Sequence, residues 1–158
     1  MKSLLLSLAV LFVVPFSLSA DDDWFDMQNC EICKCMSGHM DMMMEVKWGV
    51  HKTENGMMMI SVVPEKHQKT MKAAHDEMMQ VVARLEKGEK MHCCGFCTSY
   101  GKLKQGGAKI EEIETVGGKV TLVTSDNSEM IKMIHEHATK TMAAHEKMMK
   151  EMSGKKSE

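Results

Sequence analysis

Two Cys-x-x-Cys motifs, Cys30 to Cys33 and Cys94 to Cys97, stand 64 residues apart, and each precedes the same succession of patterns. A chain written twice in this way is expected to fold as two like units, because one short unit buries too little apolar surface alone. In the first half, residues 45–53 alternate as a strand through Val46, Trp48 and Val50, Glu54-Asn55-Gly56 marks a turn, and residues 57–63 form a second strand. Asn-Gly between two such runs is a strong hairpin signal. In the second half, residues 109–116 and 119–124 flank Gly117-Gly118, with Ile110 and Ile113 breaking strict alternation as a bulge would.

Each hairpin leads into a long helical pattern, the first from Pro64 to near Gly88, the second from about Ser125–Ser128 to before Gly154. The closest match between the halves spans 67–79 and 137–149, where both read His, a later Ala-Ala-His, an acid and Met-Met. The expected fold class is therefore α+β. Two tandem strand-strand-helix repeats (30–88 and 94–152) form a four-stranded antiparallel sheet with two long helices on one face, in one duplicated domain over 21–158.

Residues 1–20 have the layout of a secretory signal peptide: Lys2, an apolar run from Leu4 to Phe16, and small residues before Asp21. The run is shorter than the roughly 20 residues a spanning helix needs. An exported chain in the periplasm or outside the cell is expected, with no stable membrane insertion once the signal is removed. Without Lys2, 19 basic side chains oppose 22 acidic ones. No clustered positive charge invites nucleic acid.

All six cysteines lie beyond the signal, as Cys30, Cys33, Cys35 and Cys93, Cys94, Cys97. Export makes disulfides one reading, with Cys35 and Cys93 as a candidate extra bridge. Close spacing favours another: two thiols in a C-x-x-C turn converge on one ion, and thiolate suits copper(I) and zinc(II). His39, His92 and Met40 add imidazole and thioether donors near the motifs, His39 and Met40 within a Met-rich stretch (36–44) expected to be exposed. On the helices, His75 with Met79 and His145 with Met149 are i, i+4 pairs able to share an ion, whereas His67 and His75, eight residues apart, lie ~12 Å apart along the axis.

The candidate metal set is thus Cys30, Cys33, Cys35, Cys93, Cys94, Cys97, His39, His92, Met40, His75, Met79, His145 and Met149, for a copper or zinc ion. No G-x-S-x-G, G-x-x-x-x-G-K, G-x-G-x-x-G or H-E-x-x-H occurs, so no catalytic role is expected. The favoured function is an exported binder of a soft, copper-like metal ion acting as sink, carrier or sensor. The alternatives are a disulfide-stapled module whose Met-rich surface meets a protein partner and, less favoured, a thiol-disulfide oxidoreductase.

Overall fold

The computed structural model describes residues 24–154, so the signal-peptide reading lies outside the described residues. Four strands form one antiparallel sheet in the order β1-β2-β4-β3. They are β1 (Lys47–Thr53), β2 (Gly56–Val62), β3 (Lys109–Thr115) and β4 (Gly118–Thr124). The α+β class and the two strand-strand-helix units match the expectation.

The inner strands pair symmetrically, Gly56 with Thr124 and Val62 with Gly118. Matching bonds close the two ends: Ser125 N–H donates to the Asn55 carbonyl at 3.0 Å, and Val63 N–H to the Gly117 carbonyl at 2.8 Å. Gly117 takes φ +79°, the left-handed region that makes glycine the suitable residue in this tight turn.

No bulge forms in β3. Its residues pair one to one with β4 from Lys109–Thr124 to Thr115–Gly118. Ile110 and Ile113 differ in parity because they face opposite sides of the sheet, not because the ladder slips. Ile110 packs on the core with Val50, Met57, Leu103, Val123, Ile134 and Ala138, whereas Ile113 is 42% exposed.

Three longer helices complete the fold, numbered after two short turns, α1 (Lys34–Ser37) and α2 (Met40–Glu45). Helix α3 (Glu65–Glu86) follows Pro64 and closes on Gly88, whose φ of +88° lets the N–H groups of Gly88 and Glu89 bond back to the Leu85 and Arg84 carbonyls. Helix α5 (Ser128–Gly154) starts where the Asn127 side chain accepts from the N–H groups of Glu129 and Met130. It lays Ile134 and Ala138 on the Val50 side of the sheet, while α3 runs beside α1. Between the second Cys pair and β3 the chain forms α4 (Gly95–Gln105), which packs on α5 and buries Leu103.

The Met-rich stretch is not an exposed strand approach. It forms most of α2 and buries Met42 at 3% exposure, the apolar thioether going to the interior as a flexible core filler does. No helix among the described residues is long and apolar enough to cross a membrane.

Candidate metal centre

Each Cys pair sits on a tight local turn. In the first, the Asp26 carboxylate accepts from the N–H groups of Gln28 and Asn29, folding the chain back so that Cys30 N–H bonds to the Asp26 carbonyl. Cys33 N–H then points at the Cys30 sulfur, 3.5 Å away. In the second, Cys94 precedes the first residue of α4 and Cys97 lies within its first turn, where the helix dipole favours negative charge.

Backbone bonds hold the two turns against each other. Glu31 N–H donates to the His92 carbonyl at 3.0 Å, and Phe96 N–H to the Trp24 carbonyl at 2.9 Å. The Trp24 indole, 5% exposed, is pinned by Nε1–H to Thr141 Oγ1 at 3.2 Å and lies on Gly95, where a Cβ would meet its Cε3 at 2.8 Å. Gly95 is small because the indole occupies the space beside the ligand turn.

The result is one cluster of four thiols. The sulfurs of Cys30, Cys33, Cys94 and Cys97 all lie within 4.8 Å of one another, with Cys33 3.6 Å from Cys94 and 3.4 Å from Cys97. Four thiolates around a tetrahedral ion at ~2.3 Å are separated by about 3.8 Å. The observed spacing is close to that, so this cluster can hold a metal ion such as zinc.

Electrostatics point the same way. Cys94 is held far below the usual thiol range, chiefly by hydrogen bonds from the Cys33 and Cys97 thiols and to a lesser degree by the backbone N–H groups of Cys97 and Asp26. Cys33 is pushed far up, first by its hydrogen bond to Cys94, and Cys97 likewise by Cys33 and Cys94. Four sulfurs this close cannot all ionise without a cation among them; with one, all four become ligands.

The other candidate residues stay outside this cluster. Cys35 is a buried free thiol directed at the Glu31 carbonyl at 3.8 Å, and Cys93 is a free, partly exposed thiol, so the candidate extra bridge between them is not formed. Burial is the first cause that pushes both thiols up. His92 is largely exposed, its Nε2 3.6 Å from an Asp26 carboxylate oxygen. His39 and Met40 line a shallow cleft with His67.

The helix pairs serve packing or solvent. His145 rests on the Trp48 ring at 4.9 Å, burial lowering its pKa; Met79 is 46% exposed, and His75 stands beside Asp76. Met149 is half-buried on α5.

Sequence reasoning missed the layer behind the cluster. His137 is 1% exposed in an aromatic box of Trp24, Phe96 and Tyr100, with ring centroids at 5.4, 5.0 and 5.9 Å. Its Nδ1 meets Ser99 Oγ at 2.9 Å, and Nε2 is buried without a partner. The scarcity of aromatic residues was the available signal: beyond position 20 only Trp24, Phe25, Trp48, Phe96 and Tyr100 occur, and four of them gather here or on the adjacent Phe25–Phe96 contact. No protein-family model, curated protein or solved structure matches the chain.

Proposed function

We propose that the chain is an exported, non-catalytic protein that binds one thiophilic metal ion through Cys30, Cys33, Cys94 and Cys97. The observation that carries this reading is the convergence of four sulfurs within 4.8 Å from turns 64 residues apart in sequence. Of the two ions suggested by the residue types, four thiolates at tetrahedral spacing favour zinc(II); copper(I) is the competitor. A set of four protein ligands leaves no open coordination position for substrate, which favours storage, transfer or stapling of the fold over catalysis.

Partial exposure of Cys97 at the edge of the cluster supports exchange with a carrier or acceptor over permanent burial. Export rests on the layout of residues 1–20 and implies that the ion must be captured before the thiols oxidise. The second reading, a disulfide-stapled module, draws on the same proximity, since sulfurs this close oxidise readily.

The test is the intact mass of the natively exported protein under non-denaturing and then denaturing conditions, with thiol alkylation. The expected result is one bound ion, identified by its mass, and four thiols that alkylate only after chelation. Six oxidised cysteines without an ion would overturn thiolate ligation.

A further inference from the structure

We propose that two copies of this chain pair face to face through the sheet surface opposite α5, about a twofold axis parallel to the strands. On that surface the register lines up four rows across the sheet, in the order β1, β2, β4, β3. They are Thr53, Gly56, Thr124, Lys109; then His51, Met58, Leu122, Glu111; then Gly49, Ile60, Val120, Ile113; then Lys47, Val62, Gly118, Thr115. Among the described residues, the helix contacts with the strands are chiefly those of α5, on the Val50 side. Met58, Ile60, Val120 and Leu122 are only half-buried, and Val62 and Ile113 are each 42% exposed. A sheet apolar on both faces needs a cover on the second.

The second copy is the occupant this face itself specifies. Rotation about an axis along the strands reverses the strand order, so β1 lies over β3 of the other copy and β2 over β4. In the second row, His51 then stands over Glu111, an N–H donor above a carboxylate that its own neighbour Lys109 approaches at 3.7 Å. In the third row Ile113 stands over Gly49, and Ile60 over Val120. A Cβ at Gly49 would meet only the His51 ring, at 3.5 Å, so the space above it is free to take an isoleucine. In the first and last rows Thr124 stands over Gly56 and Val62 over Gly118. Gly49 therefore faces the branched Ile113 twice about the axis, and with the His51–Glu111 pairs the surface is complementary to itself, as an isologous twofold contact requires.

Seven residues at ~3.4 Å and four strands ~4.8 Å apart project to about 450 Å² per copy. Two copies then cover ~900 Å² by projection, near the ~1,000 Å² of a specific but dissociable contact. Aligned packing of the two sheets is one of the ordinary sandwich arrangements.

Sedimentation velocity on the purified chain over about 5–500 µM, with and without a chelator, tests the pairing. A monomer–dimer equilibrium is expected, lost in Ile113→Lys while its circular dichroism stays that of the parent; Val62→Lys replaces it if that variant does not fold. His51→Glu, which sets carboxylates against each other twice, should also give monomer, and adding Glu111→His should restore the dimer. A monomer at every concentration, a dimer indifferent to Ile113→Lys and Val62→Lys, or a double variant that stays monomeric would each overturn the proposal; the first would give the face to a different partner. Metal uptake is read separately and does not enter the outcome.

Discussion

Substituting His137 by Phe should flatten the dependence of folding stability on pH between 6.5 and about 4. Burial alone pushes His137 from its ordinary 6.5 down to about 4, because an imidazolium among Trp24, Phe96 and Tyr100 would lose its hydration with no carboxylate to replace it. The unfolded chain therefore takes up this proton at a higher pH than the folded one. Stability contributed by the neutral ring is fully present above 6.5, falls as the pH drops through that value, and is lost below about 4. At ~1.4 kcal/mol for each tenfold difference in proton affinity, the loss is about 3 kcal/mol.

Urea unfolding of chelated protein at intervals from pH 7.5 to 4 measures this, with the metal removed so that acid-driven release of the ion does not enter. Paired carboxylates such as Asp76 and Glu146, both held below their ordinary range by lysines, also release stability on acidification, but they do so equally in parent and variant. The difference between the two proteins isolates His137. Phe at this position keeps the ring contacts and removes the unpartnered Nε2, at the cost of leaving Ser99 Oγ without its 2.9 Å bond, worth ~1 kcal/mol at neutral pH. Parallel pH profiles for parent and variant would refute the buried neutral imidazole.

Cys33→Ser should weaken metal uptake beyond the ~10–100-fold typical of an outer-shell loss, whereas Cys35→Ser should keep full stoichiometry; competition with a chromophoric chelator separates them. Gly95→Ala should destabilise the chain by ~1–3 kcal/mol in thermal unfolding, because its Cβ would press on a Trp24 residue held by its indole N–H and by its backbone carbonyl, and the cost should shrink in Trp24→Leu. Met57→Ala, at a fully buried site between Val50 and Val123 in the core, should cost ~2–5 kcal/mol by urea denaturation without changing the number of bound ions.

Much of the fold was legible because it depends on local period. Trp48 and Val50 alternate, Pro64 and Gly88 bound a helix, and another starts within Ser125–Ser128, all features that neighbours in sequence impose. The convergence of the two C-x-x-C turns was legible only as a possibility among several. His39, His92 and Met40 were just as near in sequence, yet the two histidines do not join the converging sulfurs and Met40 lines a cleft with His67, since distance along the chain does not set direction in space.

What this sequence determined by itself is the chemistry on offer: two pairs of thiols, each in a tight turn, ahead of two hairpins and two long helices. The tertiary structure decided which thiols meet. Pairing of β2 with β4 brings the two units together, while the Glu31–His92 and Trp24–Phe96 bonds set one turn against the other, selecting Cys30, Cys33, Cys94 and Cys97 and leaving Cys35 and Cys93 aside. It also decided that Ile113 points outward where Ile110 points in. The physical reason is common to both: contacts between residues far apart in the chain depend on register and packing, which no local window of sequence contains.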